Sequence, residues 1–358
     1  MIDLESVPRL RHIGLSALVL QELARLDDTG AQPLRVCEVQ RDALHLHDGE
    51  RVYAARALPA LLQRLALQAD GLAVGDWVLA ERTVHGQWWV HERMPPVTQL
   101  ARRLHDGRDK VTRAVIVSNI DTALLVMGLD HDFNVRRLER YLALVRLAGV
   151  AALVVLTKAD LCADVDVRLR AAHAVLPPDT GALALDALRD DVHQRLGPWL
   201  APGSTLVLLG SSGAGKSTLT NALLGADVQA TGAVRNGDAR GRHTTTARTL
   251  YRLPGGACIV DTPGLRTLRL DSEAGDIDAV FDDIARLAPL CRFRDCAHDD
   301  EPGCAVRPGV PAERLRNFHK LLREARRDSM SALQRKEQLA EWKLRARGAR
   351  AVARAKRG

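Results

Sequence analysis

The sequence has no apolar run long enough to cross a bilayer, and its first residues carry no leader pattern. A membrane-spanning helix needs about 20 predominantly apolar residues, and no stretch of the 358 residues approaches that length. Residues 1–5 do not form a basic segment that leads into an apolar core, which is the pattern of an export signal. We therefore expect no membrane association and a cytoplasmic location.

Cysteine is also scarce, with six residues in the chain, but three of them cluster with one histidine. Cys291, Cys296, His298 and Cys304 have the spacing Cys-x4-Cys-x-His-x5-Cys. In a protein that is not exported, this cluster favours a metal ion over disulfides. Three thiolates and one imidazole are typical of a closed tetrahedral site, so we predict one structural Zn²⁺. A loop with incidental cysteines is the alternative.

Positive charge is concentrated at the end of the chain. The formal net charge is +7, yet residues 314–358 hold 15 Lys and Arg against 4 Asp and Glu. The rest of the chain is therefore slightly acidic. One interpretation is a solvated helical tail that aids solubility, and the other, which we favour, is a tail that neutralises nucleic-acid phosphates.

Changes in composition divide the chain into five segments. Residues 1–27 are typical of a short helical extension, and residues 28–104 contain short β-like runs between turn residues, which predict a small β-barrel. Residues 105–270 alternate apolar strands with amphipathic helices, which predicts a mostly parallel α/β domain. Residues 271–325 contain the metal-binding pattern, and residues 326–358 are a basic helical tail.

A phosphate-binding loop follows one of the predicted strands. The pattern Gly-x4-Gly-Lys-Ser occupies residues 210–217 and opens a helical segment, which is the context that this motif requires. Glycines allow backbone N–H groups to surround phosphate oxygens, and the helix N-terminus adds a favourable dipole. We expect Lys216 to contact the β- and γ-phosphates and Ser217 to bind Mg²⁺. The predicted nucleotide contacts in this region are Gly210, Ser211, Ser212, Gly213, Ala214, Gly215, Lys216, Ser217 and Thr218.

Two later segments are predicted to sense the γ-phosphate. Asp261 ends a predicted strand and is expected to hold Mg²⁺ through water, while the Gly264 N–H faces the γ-phosphate. Asp-x-x-Gly alone is a common turn, but its position after the phosphate loop favours this function. The other segment, residues 241–246, is a polar stretch between the phosphate loop and Asp261. In it a threonine, Thr244 or Thr245, can close over Mg²⁺ in the triphosphate state.

A base-reading motif precedes the phosphate loop. It consists of Thr157, Lys158, Ala159 and Asp160, directly after a predicted strand. The Asp160 carboxylate can accept two N–H donors from guanine, which adenine does not present, and the Lys158 stem can cover the base. An ordinary polar loop is the alternative. The nucleotide is therefore predicted to be GTP or GDP.

The order of the two motifs is unusual. In most GTPases the base reader comes last, whereas here Asp160 precedes Gly210. Opening a sheet domain at one loop and joining its old ends leaves the site intact, because chain termini tend to lie close together at the surface. We therefore predict a circularly permuted P-loop GTPase domain.

A permuted GTPase followed by a Cys/His cluster resembles the ribosome small-subunit-dependent GTPase A (RsgA) family, over about residues 30–325. The motifs that carry the resemblance are residues 74–78, 119–121, 132–134, 140–142, 210–217, 241–246, 261–264 and the Cys/His cluster. The resemblance implies an N-terminal OB-fold, a central permuted GTPase domain and a C-terminal helical zinc-binding domain. It also implies cytoplasmic action on a late 30S ribosomal subunit and its rRNA, with hydrolysis that the subunit stimulates. We expect a monomer.

The chain departs from the family pattern at two base-contacting positions. It also departs from many other GTPases at the position that orients the attacking water. Thr157 stands where the family usually has Asn, so one base contact is weakened or remade. Asp186-Ala187 replaces the usual Ser-Ala, and the Ala187 N–H is expected to reach the guanine oxygen. Leu265 replaces the glutamine that orients the attacking water in many GTPases, so intrinsic hydrolysis is predicted to be slow.

The expected catalytic groups are His243, Lys216 and Gly264. The family resemblance favours His243 as the polar group that assists hydrolysis, although a role in shaping the switch segment is an alternative. Two other functions compete with a ribosome-linked GTPase. One is a small-molecule kinase or ATPase, and the other is an RNA-binding assembly scaffold whose nucleotide site is mainly structural.

Overall fold

The computed structural model describes residues 6–25, 30–40, 43–105, 111–226, 248–262, 277 and 281–329. The predicted switch residues His243, Thr244, Thr245 and Gly264 lie outside the described residues, as does the end of the basic tail. The chain divides into two compact units. The first comprises residues 1–102 and 114–268, and the second comprises residues 103–113 and 269–358.

The N-terminal extension forms two short helices, α1 (Val7–Arg11) and α2 (Ala17–Ala24). Ser16 begins α2, because its side-chain oxygen accepts a hydrogen bond from the Val19 N–H at 3.3 Å. The extension buries five of its apolar side chains, which are Leu10, Ile13, Leu15, Val19 and Leu23, while Leu18 is exposed. The extension is therefore a packed part of the first unit.

Five strands and one helix form a closed barrel. They are β1 (Gln32–Val39), β2 (Leu44–His47), β3 (Val52–Ala57), α3 (Pro59–Leu67), β4 (Trp77–Arg82) and β5 (Trp88–Arg93). The barrel closes because β1 pairs with both β2 and β4, while β5 pairs with both β3 and β4. This arrangement is that of the predicted OB-fold.

Strand β1 is buried on both faces. Leu34 and Val36 point into the barrel core, as the alternation of a strand requires. Arg35 points the other way and is nevertheless fully buried. Its guanidinium donates to the carbonyl oxygens of Ile13, Asn119 and Gly75 and to the Thr205 hydroxyl. Arg35 thereby joins the extension, the barrel and the neighbouring α/β sheet.

The barrel also contains a buried carboxylate whose titration is expected to affect stability. Asp76 is fully buried, and its Oδ2 accepts a hydrogen bond from the Ala73 N–H at 2.8 Å. Burial raises the pKa of Asp76 from 3.8 to about 6. The folded chain therefore holds this proton more tightly than the unfolded chain, so the stabilisation is complete below pH 4 and is lost as the pH rises through 6.

We expect an Asp76→Asn variant to lack this pH dependence. From pH 4 to pH 7, the free energy of unfolding of the unmodified chain should fall by about 2 kcal/mol relative to that of the variant. Urea unfolding followed by tryptophan fluorescence gives the free energy of unfolding of both chains at each pH. The difference between the two values removes the contribution of all other titrating groups, because both chains contain them. Parallel pH profiles would contradict the assignment.

After the barrel come a paired β6 (Gln99–His105) and β7 (Val111–Ser118) and then the α/β domain. Its strands are β8 (Thr122–Gly128), β9 (Ala151–Thr157), β10 (Gly181–Ala184), β11 (Thr205–Leu209), β12 (Thr249–Arg252) and β13 (Cys258–Asp261). Its helices are α4 (Val135–Leu147), α5 (Val165–His173), α6 (Val192–Leu196) and α7 (Lys216–Leu224).

The strand order explains how a permuted chain builds one site. The order is β10-β9-β8-β11-β13-β12, in which β12 alone runs antiparallel to its domain neighbour. Strand β11 thus lies between β8, which precedes it in the chain, and β13, which follows it. Ligands bind at the carboxyl ends of strands in such sheets. The sheet also continues into the barrel, because Thr249 of β12 pairs with Glu38 of β1.

The second unit contains three described helices, α8 (Asp282–Leu287), α9 (Val306–Gly309) and α10 (Ala312–Ser329). Phe281 and Phe318 pack edge to face with ring centres 5.2 Å apart. Arg314 on α10 lies over the Phe281 ring and donates two hydrogen bonds to the Asp283 carboxylate, at 2.7 and 2.9 Å. These contacts hold α10 against the start of α8.

Candidate nucleotide and metal sites

The phosphate loop connects the buried strand β11 to α7. Gly215 has φ +89°, which strongly favours glycine. A Cβ atom on Gly210 would lie 2.2 Å from the Val126 carbonyl oxygen, so only glycine fits there. Lys216 Nζ donates to the carbonyl oxygens of Gly210 and Ser211 at 2.9 and 2.6 Å. The loop therefore has the backbone geometry that the motif predicts.

The structure brings the two described candidate magnesium ligands, Ser217 and Asp261, to the same edge of the sheet. Ser217 lies in the first turn of α7, and Asp261 ends β13, next to β11. Burial raises the pKa of Asp261, while the nearby Lys216 ammonium lowers it. A bound cation would offset the cost of this buried carboxylate, and hydroxyl and carboxylate oxygens are ligands that Mg²⁺ accepts. These residues therefore fit the magnesium ion that a GTPase requires.

The predicted base reader lies at the carboxyl end of β9. Asp160 is exposed on a short 3-10 turn, Ala159–Leu161, and Lys158 has φ +59°. The Ala159 N–H donates to the Leu185 carbonyl oxygen at 3.3 Å, which links this turn to the loop that contains Ala187. The two predicted base-contacting loops are therefore neighbours.

Thr157 contacts the phosphate loop. Its side chain is buried, and its hydroxyl donates to the Ala214 carbonyl oxygen at 2.6 Å. The residue that departs from the family pattern thus joins the base-reading strand to the phosphate loop. Its contact with the base stays a prediction.

Two acidic residues at this edge are not among the site residues predicted from the sequence. The Ser211 hydroxyl donates to Asp132 Oδ1 at 2.6 Å, and Lys158 Nζ donates to Asp130 Oδ2 at 2.7 Å. Both carboxylates belong to the loop that follows β8. Their position directly after a buried strand is the signal in the sequence that points to this edge.

The Cys/His cluster in the second unit forms a compact set of ligand atoms. The atoms of Cys291, Cys296, His298 and Cys304 all lie within 4.8 Å of one another. His298 has φ +62°, which turns the backbone sharply between the ligands. The Ala305 N–H donates to Cys291 Sγ at 3.4 Å. The cluster can therefore hold a metal ion, as its spacing predicts.

The strand order, the phosphate loop and the upstream base-reading motif define a circularly permuted P-loop GTPase. The family model for the RsgA GTPase matches residues 96–271. A small ribosomal subunit biogenesis GTPase RsgA from Xylella fastidiosa strain 9a5c is 44% identical over 296 residues, which cover 81% of this chain and 84% of the relative. The chain belongs to the RsgA GTPase family, and it is a GTP hydrolase.

A second relative agrees with the family assignment, and two solved structures share the fold. A relative of the same name from Mesorhizobium japonicum is 40% identical over 324 residues, 88% of this chain and 90% of the relative. The structure of YjeQ from Thermotoga maritima has a TM-score of 0.60 at 22% identity, over 82% of this chain and 98% of that chain. YloQ, described as a circularly permuted GTPase, has a TM-score of 0.57 at 20% identity, over 83% and 96%. The predicted fold class is confirmed.

No helix among the described residues is both long and apolar enough to span a membrane.

Proposed function

We propose that this chain binds the small ribosomal subunit and hydrolyses GTP during late maturation of that subunit, with hydrolysis stimulated by the subunit. The relatives at 40 and 44% identity are named as GTPases of small ribosomal subunit biogenesis. The observation that carries the proposal is the phosphate loop at the end of β11, with Lys216 beside Asp261 and the Asp160 turn at the same sheet edge. The partner is the subunit and its rRNA.

The nucleotide site works through residues at the ends of four strands, β9, β10, β11 and β13. Lys216 neutralises charge on the β- and γ-phosphates, and the loop N–H groups of residues 210–218 orient them. When bound, Mg²⁺ neutralises developing phosphate charge. Ser217 would hold that ion directly and Asp261 would hold it through water, with Thr244 or Thr245 of the switch segment. Asp160 reads guanine, supported by Lys158 and the Ala187 N–H.

Hydrolysis is slow in the free protein because Leu265 cannot orient the attacking water as a glutamine does. The Gly264 N–H contacts the γ-phosphate, and His243 supplies the polar group when the subunit is bound. The basic residues after 314 and the barrel surface contact rRNA. The protein acts as a monomer in the cytoplasm.

Phosphate release from GTP, measured with and without purified small subunits, tests this function. We expect the subunits to raise turnover by at least about tenfold, and we expect ATP to be a poor substrate in both conditions. A His243→Ala variant should bind GTP normally but lose the stimulation. Equal turnover of ATP would favour the kinase or ATPase alternative, and unchanged stimulation in the variant would remove His243 from the mechanism.

The metal in the second unit is proposed to be zinc. In a tetrahedral site with Zn–S bonds of about 2.3 Å and Zn–N bonds of about 2.05 Å, a sulfur and a nitrogen ligand lie about 3.6 Å apart. Cys291 Sγ and Cys304 Sγ lie 3.6 and 3.7 Å from His298 Nδ1. Four protein ligands leave no open position, so the role of the ion is structural.

A further inference from the structure

The loop after β8 contains a carboxylate that holds the phosphate loop. Asp132 is mostly buried, and its Oδ1 accepts the Ser211 hydroxyl proton at 2.6 Å. Its Oδ2 accepts the Gly128 N–H at 3.2 Å, and Arg137 of α4 also donates to this carboxylate. The carboxylate is therefore held on three sides, and Ser211 is its contact on the phosphate loop.

A second carboxylate in the same loop holds the base reader. Lys158 Nζ donates to Asp130 Oδ2 at 2.7 Å, and Arg168 donates to the Asp130 carbonyl oxygen at 3.0 Å. Burial raises the pKa of Asp130, but the hydrogen bonds from Lys158 and from the Asp132 N–H, together with the nearby positive charge of Lys158, lower it by more, so the pKa lies below its usual value. The charged pair fixes the Lys158 stem above the end of β9.

The two carboxylates are linked to each other. The Asp132 N–H donates to Asp130 Oδ1 at 2.9 Å, so the Asp130 side chain forms a hydrogen bond with the backbone of its own loop. Each carboxylate thus contacts a different part of the nucleotide site, and this hydrogen bond lies within the short loop that contains both. Hydrogen bonds to charged groups at buried positions are among the strongest that proteins form.

We propose that Asp132 is a positioning residue for the phosphate loop and that Asp130 is a positioning residue for the base-covering Lys158. This inference rests on the proposed nucleotide site. Neither residue touches the reacting atoms. Asp132 acts on the diphosphate through Ser211, and Asp130 acts on the base through Lys158.

The two roles predict different ligand dependence. An Asp132→Asn variant should bind GDP about tenfold more weakly, while its affinity for GMP, which lacks the β-phosphate, changes by less than about twofold. An Asp130→Asn variant should weaken GDP and GMP by the same factor, because both carry the base. A general loss of folded structure would lower both affinities in both variants, and it would also lower the melting temperature.

Competition against a fluorescent GDP analogue measures these affinities in the full chain. Ser211→Ala removes the other half of the Asp132 contact, so it should reproduce the Asp132→Asn result, and the double variant should be no weaker than either single variant. If Asp132→Asn does not fold, Ser211→Ala still tests the same contact from the other side. Asp179→Asn, on an exposed pair with Arg146, is the matched control.

Three results would overturn the inference. They are additive losses in the double variant, equal losses of GDP and GMP affinity in Asp132→Asn, and unchanged GDP affinity in either aspartate variant. Failure of the unmodified chain to bind GDP would be a separate result, because it would contradict the proposed nucleotide site itself.

Discussion

A Lys216→Ala variant is expected to lose GTP turnover by about a hundred- to thousandfold, with and without small subunits. The ammonium already lies against the carbonyl oxygens of Gly210 and Ser211, beside the buried Asp261. Alanine removes the positive charge that meets the β- and γ-phosphates, and no other lysine or arginine lies within the phosphate loop motif. Phosphate release under saturating GTP measures the effect.

The matched variant for this experiment is Lys216→Arg. It keeps the charge, but its planar guanidinium does not reproduce the compact ammonium. We expect it to recover binding of GDP more than turnover. Circular dichroism establishes that both variants are folded. If Lys216→Ala kept normal turnover, the nucleotide site would have a structural role, and the scaffold alternative would be favoured.

Loss of the metal is expected to unfold the second unit while the first unit stays folded. The described part of the second unit has a small apolar core around Phe281 and Phe318 and depends on the cluster to fix residues 291–304. Binding of a structural zinc ion to its ligands contributes about 10 kcal/mol or more in small zinc domains. A Cys304→Ser variant should therefore contain no zinc and show an early unfolding transition.

Cys162→Ser is the control for this second prediction, because Cys162 lies in the first unit outside the cluster. Zinc content is measured by metal analysis, and unfolding is measured by calorimetry. We expect the control to hold one zinc ion per chain and Cys304→Ser to bind GDP normally. One zinc ion per chain in Cys304→Ser would show that the cluster is not the metal site.

Much of this protein could be predicted from contiguous motifs. The phosphate loop needs a strand, a run of residues with glycine at set positions, and a helix, all within residues 205–224, so local sequence determines its geometry. The Cys/His spacing likewise places four ligands within reach by chain geometry alone. The order of Asp160 and Gly210 in the chain established the permutation, because a sheet domain can be opened at a loop without loss of its core.

Contacts between distant residues could not be predicted in this way. Thr157 and Ala214 are 57 positions apart, and Asp132 and Ser211 are 79 apart. Only the order of strands β9, β8 and β11 brings them together, and nothing local to either residue encodes its partner. The contact of the Thr157 hydroxyl with Ala214 of the phosphate loop could therefore not be predicted from the sequence.

In the N-terminal extension, too, the helices could be predicted from local sequence, but the contacts that hold them could not. Its helices follow from local pattern, but its role depends on Arg35, whose partner Thr205 lies 170 positions away. A buried guanidinium needs several acceptors at once, and three separate parts of the first unit supply them. The sequence by itself determined the chemistry of this GTPase, because each motif is local. Only the tertiary structure decided how its motifs are held together, because buried polar groups take their partners from wherever the fold brings them.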